Sequence, residues 1–287
     1  MPLSILRKKS NPDEDEGSLL ESLFARLHGE KVITGFFNRF IEHVLMKMHS
    51  RYFWGDRLLT IDKSAGFMDD PKFSAAYQAI RGSHIYDAYD SPHTVAWRLH
   101  TLAWAVRQAL PLPGDFVECG VFKGDFAWVV MQMTDFTSQK RSFYLYDTFA
   151  GFSPKYSSSE DYEGNPGFLD FAHKAYSVDG LYESVRDRFA PMANVKVVRG
   201  VVPDVFAEAV PERIAFLHID LNSPAAEVGA LNVLFDRVVP GGVIVFDDYG
   251  WYQFRKQKIA EDAFMRERGY EIMELPTGQG LMIKRPQ

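Results

Sequence analysis

The chain has 287 residues, 46% hydrophobic and 24% charged, a balance that buries a sizeable core in one large domain with a smaller appendage; as a whole the chain is neither a disordered tail nor a coiled coil. Its formal net charge of -6 gives no general attraction to nucleic acid or to an anionic membrane, so a small or neutral substrate comes first. The single cysteine, Cys119, excludes an intrachain disulfide and a cysteine-rich zinc site and fits a reducing, cytoplasmic compartment.

Residues 1–17 are polar and charged, and the acidic stretch from Asp13 to Glu16 stands where a signal peptide would have its apolar core. With little to bury, this tail is expected to be disordered. From Lys31 to His49 the apolar residues Val32, Ile33, Phe36, Phe37, Phe40, Ile41, Val44, Leu45 and Met48 recur with helical period. The spacing predicts an amphipathic helix whose stripe packs on the main domain or on a second subunit; the alternative, attachment to a membrane surface, is disfavoured by a polar face that is only mildly basic. No stretch is long and apolar enough to cross a bilayer.

Further helices are predicted from Pro71 to Arg81 and after Ser91-Pro92, where a serine cap and a proline mark a start. The second runs through Val95, Leu99, Leu102, Ala103 and Val106 to a boundary at Pro111-Leu112-Pro113-Gly114. Residues 18–112 thus read as a helical region that caps the protein or builds an oligomer, and residues 113–287 as the main domain.

After that boundary the period changes. The β-rich runs Phe116 to Val121, Phe143 to Tyr146, Val195 to Val198, Ile214 to Ile219 and Val243 to Phe246 alternate with helical stretches, which predicts an α/β fold with a doubly wound parallel sheet. Two last runs, Tyr270 to Leu275 and Gly280 to Lys284, flank a connection too short for a crossover helix. They must be antiparallel, so the sheet is mixed and carries a terminal hairpin.

In such a sheet ligands bind beyond the carboxyl ends of the strands. At the first end, Glu118 and the turn glycines Gly120 and Gly124 allow a close ligand and an acceptor for an ammonium or a ribose hydroxyl; a glycine turn with a solvated acid is the plain alternative. The GxGxxG spacing of a dinucleotide site is missing. Asp147, at the second end, either bridges ribose hydroxyls or caps a turn. After the third strand, apolar residues of the run Arg199 to Asp204 could flank an adenine ring. His218-Ile219-Asp220 and Phe246-Asp247-Asp248-Tyr249 bring three carboxylates to neighbouring strand tips, where they repel one another unless something positive lies between. A divalent cation with oxygen ligands answers this; for Asp247-Asp248 a helix cap or an acidic turn is the alternative.

The ordered set Asp115 to Val121, Tyr146 to Phe152, Asp220, Pro240-Gly241-Gly242 and Asp247-Asp248-Tyr249 resembles class I S-adenosylmethionine-dependent methyltransferases, and within them the macrocin O-methyltransferase (TylF/MycF-like) family. The resemblance spans about residue 113 to the C-terminus and more loosely the helices before it. It implies a Rossmann-like sheet and an enzyme that methylates a hydroxyl of a sugar-containing natural product or glycan. It further implies that Glu118 and Gly120 contact the methionine part of S-adenosylmethionine, that Asp147 holds the ribose, and that Gly124, Thr148, Gly200, Val202 and Asp220 complete the cofactor site. Asp220, Asp247 and Asp248 would bind Mg2+ and carry the catalysis. A homo-oligomer is the family habit.

One departure concerns the general base. The family carries Asp-Gly-Asp where this chain has Asp220-Leu221-Asn222, and an amide cannot take up a proton at neutral pH. His218 reads as a packed core histidine, which leaves His173 as the freer candidate. His173 lies on the insert from residue 151 to 180, whose aromatic and acidic residues read as a lid or, more plainly, as a surface loop. Trp251 and Tyr252 are expected to line the same cavity, and Gln279 has no assigned role. A cofactor-binding protein with weak or no catalysis, or a nicotinamide-dependent oxidoreductase, is the alternative function.

Overall fold

The computed structural model describes residues 51–83, 93–165 and 167–286, with Arg39, Phe40, His43, Val44 and Lys47, all helical, from the segment before them. The expected disordered tail, the cap at Ser91-Pro92 and most of the amphipathic helix lie outside the described residues.

The architecture is a seven-stranded mixed sheet covered on both faces. Its strands are β3 (Asp115–Cys119), β4 (Phe143–Asp147), β5 (Val195–Arg199), β6 (Ile214–Ile219), β7 (Val238–Phe246), β8 (Met273–Glu274) and β9 (Gly280–Ile283), in the order β5-β4-β3-β6-β7-β9-β8. The first five are parallel, while β9 runs antiparallel to both β7 and β8. The terminal hairpin is therefore present, and its second strand is the one that joins the sheet.

Alternate side chains of each strand point to opposite faces. Phe116, Phe143, Leu145, Phe216, Val243 and Val245 join one buried cluster with helices α1 (Pro71–Ile80), α2 (Ala96–Ala109) and α3 (Asp125–Thr134). Val117, Tyr146, Leu217, Ile219, Ile244 and Phe246 join the other, with α6 (Pro224–Leu234) and α7 (Arg255–Glu267). Helices α4 (Phe168–Tyr176) and α5 (Leu181–Phe189) lie between β4 and β5 in the chain. Caps follow the sequence: Asp70 accepts the N–H groups of Lys72 and Phe73 before Pro71 opens α1, and Ser223 accepts that of Ala226 before Pro224 opens α6.

The segment expected to be wholly helical before residue 112 contains an antiparallel hairpin, β1 (Tyr52–Gly55) with β2 (Leu58–Ile61). Its two-residue turn, Asp56-Arg57, has positive φ at both positions, 56° and 55°. That is the backbone of the turns that favour Asn-Gly or Asp-Gly, so Asp-Arg gave no turn signal, and two four-residue strands are too short to show a period. Helices α1 and α2 pack directly on the sheet.

The chain fills β3, β4 and β5 to one side and then crosses back to β6 and β7, so the order reverses between β3 and β6. Backbone bonds carry the register past the strand ends: Gly120 to Tyr146 at 2.9 Å, Gly200 to Asp147 at 2.9 Å, Asp220 to Cys119 at 2.7 Å and Asp247 to Ile219 at 2.9 Å. The five parallel tips are thereby aligned on one edge.

Candidate active site

Two cavities open at that edge. The first, a cleft of about 1050 Å³, runs over the tips of β3, β4, β5 and β6 and is lined by Glu118, Gly120, Asp147, Thr148, Gly200, Val202 and Asp220 among others. The second, of about 800 Å³, lies over β6 and β7 and is lined by Arg57, Arg98, Asp220, Asp247, Asp248 and Trp251, with Phe168, Phe171 and Phe254 as apolar wall. Asp220, Asn222 and Tyr176 line both.

The glycine at the first tip is required sterically. Gly120 has φ of 88°, and a Cβ there would lie 1.8 Å from the Asp220 carbonyl oxygen. Asp147 is more occupied than the sequence suggests: its Oδ2 accepts the N–H of Val121 at 2.7 Å and of Phe122 at 2.8 Å, and its Oδ1 that of Phe149 at 2.6 Å. The carboxylate therefore ties the β3 turn to the β4 turn, and its place in the cleft leaves lone pairs for a ligand. Gly124 differs from the expectation. It does not line the cleft; it starts α3 with φ of 76°, and its missing side chain makes room for Phe189. Lys123 and Asp125, beside it, do line the cleft and were not singled out from the sequence.

Adjacent registers on β3 and β6 place Glu118 beside His218. His218 is buried, but it is not a plain packing residue: its Nδ1 is 2.9 Å from Glu118 Oε1, and its Nε2 is 3.5 Å from Asp247 Oδ1. Burial alone would lower its pKa, yet Asp247 and Glu118 outweigh that and hold it at about 10. Glu118 is raised from the ordinary carboxylate value by burial, and its Oε2 is buried without a partner.

Asp247 is fully buried. Its Oδ2 accepts from Arg98 Nη1 at 2.8 Å and its Oδ1 from Gln279 Nε2 at 2.8 Å. Burial opposes its charge, but Arg98 and then His218 hold it below the usual range. Arg98 also bonds Asp56 of the β1–β2 turn, through Nε at 3.1 Å and through its backbone N–H at 3.1 Å. The result is a buried chain of alternating charge, Glu118, His218, Asp247, Arg98 and Asp56.

The remaining acids lack such partners. Burial and then Asp247 and Asp248 push Asp220 well above the carboxylate range, and burial and then Asp247 push Asp248 up to about 8. His218, Asp220 and Asp247 each offer a ligand atom within 4.8 Å of the others. Asn222, at φ of 55°, donates its side-chain amide to Asp220 Oδ1 at 3.0 Å.

His173 stands exposed against Gly151, outside both cavities, so it is not brought to the acids. Trp251 lines the second cavity, whereas Tyr252 is 71% exposed and lines neither. Gln279, given no role from the sequence, is fully buried against Asp247. The insert packs on the domain: Tyr156 and Tyr176 form cleft wall, and a cluster of Tyr162, Phe168, Ala172 and Phe254 ties it to the segment after β7.

Residues 86–272 match the family described as Macrocin-O-methyltransferase (TylF). The chain is similar to Mycinamicin III 3''-O-methyltransferase of Micromonospora griseorubida, 30% identical over 164 residues, which is 53% of this chain and 62% of the relative. The chain thus matches about three-fifths of that relative's length. Among solved structures, the O-methyltransferase NovP is alike in fold, with a TM-score of 0.55, 19% identity, and coverage of 73% of this chain and 88% of the other.

Proposed function

Because the chain belongs to the macrocin-O-methyltransferase (TylF) family, with its class I doubly wound sheet, we propose that it moves the methyl group of S-adenosylmethionine to a hydroxyl of a small, sugar-containing acceptor. The observation that carries this reading is the meeting of two cavities at Asp220, Asn222 and Tyr176. A cofactor in the first would present its methyl sulfonium to an acceptor in the second.

In the reaction the acceptor oxygen attacks the methyl carbon while the carbon–sulfur bond breaks, leaving S-adenosylhomocysteine and a proton. Holding the two reactants in line accounts for much of the rate. Glu118, with an unpartnered buried oxygen, suits the cofactor's ammonium, and Asp147, on the strand beside it, suits the ribose. Phe171 and Trp251 offer apolar faces on which a sugar ring can rest. Asn222 has no basic atom, so a carboxylate takes the hydroxyl proton in this reading. Asp220, which lines both cavities, is placed for it when it holds no cation.

An oxygen-preferring divalent cation fits the donor set, because Asp220 and Asp248 are raised by burial and then by repulsion from Asp247, both of which a cation would offset. Asp220 and Asp247, whose ligand atoms lie within 4.8 Å of each other, would hold it, with Asp248 as the further carboxylate of this reading. Bound there, Mg2+ would supply Lewis-acid stabilisation of the acceptor oxygen. A homo-oligomeric, cytoplasmic enzyme with residues 18–112 as its cap and residues 151–180 as its lid belongs to the same reading. The support for the lid is the aromatic wall that the insert gives to both cavities.

The test is incubation with methyl-labelled S-adenosylmethionine and a panel of nucleotide sugars and glycosylated natural products, with and without Mg2+. Label on an acceptor hydroxyl is the expected result. Cofactor binding without label on any member of a broad panel would favour a binding protein that has lost its base.

A further inference from the structure

Behind the loop that joins the two cavities lies a polar cluster that the proposed reaction does not use. Glu227, in the first turn of α6, is 0% exposed, and its Oε1 accepts the N–H groups of Leu221 and Asn222, each at 3.1 Å. Glu261 of α7, also 0% exposed, interacts with it, and Gln257 stands one turn earlier on the same helix. Glu227 Oε2, both carboxylate oxygens of Glu261 and both polar atoms of the Gln257 side chain are buried without a hydrogen-bond partner.

Two ionised carboxylates cannot share such a place, since each is stripped of water and repels the other. One proton between them resolves the arrangement. It makes an O–H···O bond from Glu261 to Glu227 Oε2 and leaves the second Glu261 oxygen to accept from the Gln257 amide. We infer that Glu227 and Glu261 share one proton, and that the pair is a positioning device for Leu221 and Asn222, which line the first cavity. The inference rests on the reading of that cavity as the cofactor site.

The surroundings point the same way. Burial and then repulsion by Glu227 push Glu261 well above the carboxylate range, and burial also raises Glu227, though Glu261 beside it and the N–H groups of Leu221 and Asn222 restrain it. The charged and titratable neighbours are Asp262 beside Glu261, Asp247, Asp248 and Tyr249 at the tip of β7, Cys119 of β3 and Tyr162 of the insert. The acids all oppose a second negative charge. A carboxyl raised in this way contributes its stability at low pH and loses it as pH rises through the folded-state value. Alkaline pH therefore undoes the pair and frees the loop.

The experiment combines infrared spectroscopy with calorimetric titration by S-adenosylhomocysteine. At neutral pH the wild type should show the carbonyl stretch of a protonated carboxyl group that Glu261→Gln lacks. As pH rises from neutral to alkaline the wild type should lose roughly tenfold more affinity than Glu261→Gln, whose amide still donates to Glu227. If Glu261→Gln does not fold, Glu227→Gln serves for the infrared comparison, since it also removes the shared proton. An unchanged carboxyl band, or the same pH dependence in wild type and variant, would overturn the inference. So would a cation found by elemental analysis at one per wild-type chain and absent from Glu261→Gln. Absence of S-adenosylhomocysteine binding at every pH would instead count against the cofactor reading, and the infrared result would still decide the pair.

Discussion

Arg98 Nη1 lies 2.8 Å from Asp247 Oδ2, across 149 residues of sequence, and joins a helix of the N-terminal half to the tip of β7. The same guanidinium holds Asp56, so the β1–β2 turn, Arg98 and Asp247 form one unit beside the second cavity. Removing Arg98 takes their shared cation away from two buried carboxylates. Arg98→Ala is expected to cost about 3–5 kcal/mol of stability, the usual price of breaking a buried pair, read by denaturant unfolding. A change below about 1 kcal/mol would mean that the pair behaves as an exposed one.

His218 predicts an alkaline loss of stability. Its folded-state pKa of about 10 lies above the ordinary 6.5, so its contribution is complete below pH 6.5 and disappears as pH rises through about 10. Thermal unfolding followed across that window should show a decline that His218→Gln makes shallower. Parallel curves for the two proteins would contradict the pairing with Glu118 and Asp247.

Asp147 accepts three backbone N–H groups as well as facing the cleft. Asp147→Ala should therefore weaken S-adenosylhomocysteine binding by about tenfold or more, equivalent to at least about 1.4 kcal/mol, and should also lower stability by about 1–3 kcal/mol. Lost stability with unchanged affinity would assign Asp147 to the turns alone.

Asp248 separates the metal from the cofactor. Asp248→Ala is expected to remove Mg2+ binding, measured by calorimetry in the absence of acceptor, while S-adenosylhomocysteine still binds. Retained Mg2+ binding would remove Asp248 from the ligand set.

The parts of this site legible in the sequence are those written in continuous runs. Apolar strands ending in Glu118, Asp147, Asp220 and Asp247-Asp248 announce both the parallel sheet and the edge where the two cavities open. Contacts made only by folding are silent: Gln279 touches the Arg98 carbonyl across 181 residues, and nothing in either local sequence foretells the pairing. The β1–β2 hairpin was hidden for a different reason, because its turn uses Asp56-Arg57 where a glycine or asparagine would have advertised a left-handed backbone. His173 shows the reverse error. A free histidine on a polar insert attracts attention, but its helix turns it to solvent against Gly151.

The most direct measurement is a calorimetric titration of the full chain, free of co-purified ligand, with S-adenosylhomocysteine, which needs no knowledge of the acceptor. The account predicts saturable binding at one site per chain, abolished or strongly weakened by substitutions at Glu118 and Asp147. No binding by the folded protein would contradict the assignment of the first cavity to the cofactor, and with it the methyl transfer.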